Sequence, residues 1–169
     1  MWIWWANMRR SRVAFLGLFT AFAMILSFVE SQIPTFVAIP GIKLGLPNIA
    51  IIVILYRFGW KEASVISLLR VLLTSLLFGT VLSMLYSFAG AILSLIVMIL
   101  LKKILSTVTI SVLGGVFHNV GQILVAILVT ETQQLIYYLP VLIISGVISG
   151  IAVGMVSAMS VKKIERIEL

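Results

Sequence analysis

His118, Asn119 and Gln122 interrupt an otherwise apolar stretch, Gly114-Gly115-Val116-Phe117-His118-Asn119-Val120-Gly121-Gln122. At spacings of three and four residues, an imidazole and two amides can share one face of a helix. Together they can donate hydrogen bonds to, and accept them from, a polar ligand group. The plainer alternative is glue between helices, worth about 0.6 kcal/mol per contact inside a membrane. Such a density of polar groups in an apolar run favours a site. Arg70 lies in a second apolar run with Thr74 one turn further on, and either clamps an anion or pairs with a carboxylate, Glu62 being one candidate. Glu30 and Gln32 precede Pro40-Gly41-Ile42-Lys43-Leu44-Gly45-Leu46-Pro47-Asn48. Prolines and glycines let such a loop fold back as a lid, with Lys43 and Asn48 offering donors, unless it is simply solvated. Tyr86, with Ser83 and Ser87, is either a ligand wall or an aromatic anchor at a membrane interface, as Tyr137 and Tyr138 read.

These residues need a scaffold, and composition restricts it. The chain has 169 residues, of which 62% are hydrophobic and 10% charged. A soluble domain carries about 25% charged residues. With so few, this chain must use lipid as solvent for much of its surface, as helices or a closed barrel. Long apolar runs without alternation select helices. The expected fold is an all-α integral membrane protein, a compact bundle of six transmembrane helices over 13–29, 44–56, 63–78, 81–101, 108–130 and 135–160, forming one domain across residues 1–169.

Charge placement orients the bundle. Arg9, Arg10 and Arg12, then Arg57 and Lys61, then Lys102 and Lys103, then Lys162, Lys163 and Arg166 are ten of the twelve basic residues. Six spans put all ten on one side, which makes both termini cytoplasmic by the positive-inside rule. Five or seven spans break the pattern. The first apolar run is followed by Glu30-Ser31-Gln32 rather than a small-x-small cleavage site, so it reads as an uncleaved span. Trp2, Trp4 and Trp5 read as an interfacial anchor, and a start at Met8 leaves the fold unchanged.

Several chemistries are excluded or disfavoured. There is no cysteine, and all five acids are glutamates, so thiolate chemistry and aspartate-rich metal sites are ruled out. No G-x-x-x-x-G-K-[ST] loop is present, so ATP hydrolysis would have to come from another chain. Nothing calls for a cofactor, a metal or nucleic acid. The net charge of +7 sits at the ends of apolar segments. Two stripes of small residues stand out: Gly146, Gly150, Gly154 and Ala158 in the last run, and Gly17 with Ala21 in the first. The first stripe reads as packing within the bundle. The second also reads as packing, or as a face for a partner subunit.

Lys43-Leu44-Gly45-Leu46-Pro47-Asn48 and Gly114-Gly115-x-x-His118-Asn119-x-Gly121-Gln122, on a six-span chain of this length, resemble a small bacterial membrane family. It is named both the Gx transporter family and heptaprenyl diphosphate synthase component I. The likeness runs from about Arg9 to Lys163. That family in turn resembles the substrate-binding S components of energy-coupling-factor (ECF) transporters. The resemblance implies a bacterial cell membrane location and a small vitamin- or cofactor-precursor-like ligand held near the outer face. Lys43, Asn48, Tyr86, Asn119 and Gln122 fall there, with Arg70 and His118 deeper. It also implies coupling and ATPase subunits in trans, docked through a small-residue motif on the first helix. Gly17-x-x-x-Ala21 stands where alanine-x-x-x-alanine is usual.

Two other functions compete. A catalytic prenyl diphosphate synthase subunit is excluded by the absence of aspartate, which leaves a non-catalytic membrane partner of such an enzyme. A stand-alone secondary transporter, with His118 or Glu62 coupling protons, would be small and shows no inverted repeat.

Overall fold

The structure is a computed structural model describing residues 2–32 and 45–167, with side chains described over 12–32 and 45–164. The expected lid residues Pro34, Pro40, Gly41 and Lys43 lie outside the described residues, as do the side chains of Trp2, Trp4 and Trp5. Six α-helices follow one another: α1 (Trp2–Gln32), α2 (Asn48–Arg57), α3 (Trp60–Phe78), α4 (Val81–Leu101), α5 (Thr107–Thr130) and α6 (Leu139–Ile167). A 3-10 turn, Gln133–Tyr138, joins α5 to α6. Among the described residues there is no strand.

Helix ends follow local chemistry. Thr80 and Ser83 form a reciprocal capping box at the start of α4, and the Ser106 side chain accepts from the Thr109 N–H at the start of α5. α1 is longer than its apolar run at both ends, because helical hydrogen bonding continues into the polar flanks. Glu30 therefore belongs to the last turn of α1 rather than to a loop. The expected sixth span begins as the 3-10 turn, and α6 proper starts at Leu139 with Pro140 in its first turn, where a missing N–H costs nothing.

Four segments are long and apolar enough to cross a membrane: Arg12–Gln32, Val81–Leu101, Thr107–Thr130 and Gln133–Ile164. The six expected helices are present, and four of them meet this criterion; α2 and α3 do not. α3 carries Lys61, Glu62 and Arg70, and α2 has only ten residues, a rise of about 15 Å.

α2 is enclosed instead, with every residue from Ala50 to Leu55 buried. Ile51, Ile52, Ile54 and Leu55 pack with Ile66, Leu95, Met98, Ile110 and Val153, forming an apolar core supplied by five helices. At the far end of α2, Lys102 Nζ donates to the Leu55 carbonyl at 3.2 Å, satisfying a helix-end acceptor. Arg12 pairs with Glu62 there, and Arg12 and Arg57 stack on Phe58 at 5.7 and 5.6 Å. Arg12, Arg57 and Lys102 thus gather at one end of the bundle.

The last three helices pack closely through glycine. A Cβ on Gly150 would lie 2.5 Å from Val112 Cα, and one on Gly154 would lie 2.8 Å from Val108 Cα. Gly146 meets the backbone of Gly115 and Val116 in the same way. The α6 stripe is therefore spent on α5. Gly121 and Gly90 do the same between α5 and α4, meeting the Ala89 and His118 carbonyls. A Cβ on Gly17, by contrast, would meet nothing within 4 Å, and Ala21 beside it is exposed.

Candidate functional site

Above the apolar core, at the N-terminal end of α2, the interior becomes polar. Arg70 lies ten positions into α3 and His118 eleven into α5, about 15 Å along each helix from the cationic end. Two adjoining hollows, of about 260 and 270 Å³ counting their open mouths, occupy this level. One is bordered by Ser111, Gly115, His118, Asn119 and Ser149. The other is bordered by Glu30, Pro47, Arg70, Ser87 and His118. Gly45, Asn48 and His118 line both.

The approach to α2 shapes the shared wall. Gly45 takes φ +72°, a left-handed conformation that favours glycine, and its N–H donates to Glu30 Oε1. The N–H groups of Asn48, Ile49 and Ala50 donate to the carbonyls of Gly45, Leu46 and Pro47 at 2.9, 3.1 and 3.1 Å. These donors are thus already engaged, and the polar groups still open at this helix end are side chains. Asn48 is the first residue of α2 rather than part of a lid.

Arg70 is 9% exposed; its Nη1 donates to Ser27 Oγ at 3.2 Å, while Nε has no partner. Glu62 is not its counter-ion. The two are eight positions apart on α3, about 12 Å along the axis, and Glu62 is held by Arg12. The carboxylate that shares a hollow with Arg70 is Glu30. Thr74 spends its hydroxyl on the Arg70 carbonyl of its own helix at 2.7 Å.

The polar cluster on α5 is buried but divided. His118 and Gln122 lie against Gly90 of α4. Asn119 turns toward α6, where Nδ2 donates to the Leu142 carbonyl at 2.8 Å. Asn119 thus combines a wall position with an interhelical bond. Asn119→Ala should lower the stability of the folded protein by about 0.6–1.7 kcal/mol, the range for such bonds in membranes. Thermal unfolding in detergent would measure this; an unchanged midpoint would show that the bond carries no weight. Gln122 is buried with Oε1 unpartnered, yet borders neither hollow. Tyr86 is half-buried and borders neither, and Ser83 is committed to the α4 cap; it is Ser87 that faces the cavity.

Of the residues singled out in the sequence, the structure therefore gathers Glu30, Asn48, Arg70, Ser87, His118 and Asn119. It adds Ser111 and Ser149. Ser111 is 3% exposed, and its Oγ has no partner. It lies seven residues before His118, two helical turns on one face, and that spacing was the available signal.

Residues 19–160 match the model of the family described as heptaprenyl diphosphate synthase component I. The chain belongs to this family. No curated protein and no solved structure matches it. The component I family is also the Gx transporter family, and its first name implies a second component. Among the described residues no group of three or more His, Cys, Asp or Glu is placed to hold a metal ion. The polar groups of this component I chain are instead dispersed around an interior cavity.

Proposed function

We propose that this chain is the substrate-binding membrane subunit of an ECF-type importer, acting on a small vitamin- or cofactor-precursor-like ligand. One observation carries the reading. Buried polar groups without protein partners, Arg70 Nε and Ser111 Oγ, belong to residues that border one each of two adjoining hollows inside an otherwise apolar bundle. Each such group costs on the order of 1–3 kcal/mol when left unsatisfied. A ligand that satisfies them recovers that cost. The chain would cross a bacterial cell membrane with both termini cytoplasmic, α2 and α3 completing the crossings as protein-shielded segments. ATPase and coupling subunits would act in trans.

The exposed Gly17/Ala21 face of α1 suits the coupling subunit, since it presents small residues to the outside of the bundle. Mass spectrometry of small molecules that co-purify with the protein is the direct test. An empty protein that also captures no coupling subunit would end the proposal. Gly17→Val should leave the melting midpoint unchanged, as nothing lies near its Cβ, yet reduce recovery of a coupling subunit at least tenfold. Undiminished recovery would move the docking face elsewhere.

The family description favours a second reading, a non-catalytic membrane partner of a polyprenyl diphosphate synthase. Co-purification of synthase activity, lost when this chain is deleted, would select it.

A further inference from the structure

The ligand's charge can be read from the cavity, given the capture reading above. Among the described residues bordering it, the hollow beside α2 presents one carboxylate, Glu30 on α1, and one guanidinium, Arg70 on α3. Arg70 is 9% exposed, and its Nε lacks a partner even though Nη1 is bonded to Ser27. The N–H groups of Asn48, Ile49 and Ala50 at the adjoining helix end are taken by turn carbonyls, so among the described residues bordering this hollow Arg70 is the cationic donor for an anionic group.

We infer that the ligand is a small zwitterion, carrying a carboxylate for Arg70 and a protonated amine for Glu30. A purely anionic guest would bring a second carboxylate into the hollow with Glu30, and a purely cationic one would face Arg70. In a low-dielectric interior either leaves an uncompensated charge. A zwitterion adds no net charge and complements both walls. Its amine adds a donor to a carboxylate that already accepts from the Gly45 N–H, within the roughly four acceptor positions a carboxylate offers. The adjoining hollow, with Ser111, Asn119 and Ser149, has hydroxyls and an amide and no charged side chain among the described residues bordering it apart from any charge on His118. It suits an uncharged polar substituent.

Three matched probe series test this on the full chain in lipid nanodiscs: the common α-amino acids with β-alanine and γ-aminobutyrate, their N-acetyl derivatives, and their methyl esters. At least one free zwitterion should raise the melting midpoint, and its N-acetyl and ester forms should bind at least tenfold more weakly. Glu30→Gln should narrow the gap to the ammonium-free N-acetyl form, and Arg70→Gln the gap to the ester. These opposite relaxations are not what a general loss of folding produces. If either variant does not fold, the three-series comparison on the native chain decides alone. N-acetyl or ester forms binding as tightly as the zwitterion would overturn the inference, as would no probe shifting the protein. A co-purified small molecule of single charge would overturn it too, while leaving the transport reading standing. An empty protein with no coupling partner would instead remove the transport reading.

Discussion

Gly150→Val should abolish the folded bundle. The first added carbon would sit 2.5 Å from Val112 Cα and 3.0 Å from both the Ser111 carbonyl oxygen and the Val112 nitrogen. All three are backbone atoms, so no side chain can swing away; α5 and α6 must separate. Overpacking typically costs about 1–3 kcal/mol and occasionally more, and a rigid β-branched side chain pressed against a backbone belongs at the upper end. The cost would spread, because the same separation loosens the contacts at Gly146 and Gly154. Size-exclusion profiles and melting midpoints of Gly150→Val and Gly150→Ala in detergent are the measurement. Loss of the monodisperse peak is expected for valine, and a lowered midpoint for alanine. A Gly150→Val protein that melts like the parent would disprove the close α5–α6 approach.

Ser111→Ala and Ser94→Ala should separate stability from binding. Both serines are buried, at 3% and 2% exposure, and neither hydroxyl has a partner. Removing an unsatisfied buried hydroxyl recovers a desolvation penalty on the order of 1 kcal/mol, so each variant should melt no lower than the parent and preferably higher. The difference lies in location. Ser111 borders a hollow with His118 and Asn119, whereas Ser94 borders neither hollow and lies near Gly114 and Met98 at the α4–α5 contact. Retention of the co-purifying small molecule should fall about tenfold in Ser111→Ala, the equivalent of one hydrogen bond near 1.4 kcal/mol, and stay unchanged in Ser94→Ala. Equal retention in both would remove Ser111 from the site.

How much of this was legible in the chain depended on what kind of signal each feature leaves. The start of α4, the helical run around His118 and the glycine stripe of α6 were readable, because turn chemistry and four-residue spacing are local properties. The cationic end of the bundle followed from where lysines and arginines interrupt apolar runs. That α2 is enclosed by other helices was not readable, because an apolar run looks the same whether lipid or protein surrounds it. Glu30 was assigned to a loop because polarity was taken to end a helix, whereas α1 continues through Gln32. The pairing of Arg70 with Glu62 failed on reach, since residues eight apart on one helix cannot meet. Ser111 and Ser149 left little trace: a single serine in an apolar helix is common, and only the fold reveals which face it occupies. Gln122 was grouped with His118 by spacing, and both do lie against Gly90, but only His118 borders a hollow; Tyr86 rested on depth, and depth does not specify direction around a helix axis.

The enclosure of α2 also bears on how the chain is made. In a bilayer with a hydrocarbon core about 30 Å thick, a ten-residue helix reaches only halfway, and its side chains from Ala50 to Leu55 find neighbours only on helices synthesised before and after it. It cannot be stitched in as an independent unit when it leaves the ribosome. It must wait until α4, α5 and α6 have arrived to surround it. Until then the polar chamber has no floor. The final act of assembly and the completion of that chamber are one event: the polar interior closes only when the shortest helix has been walled in.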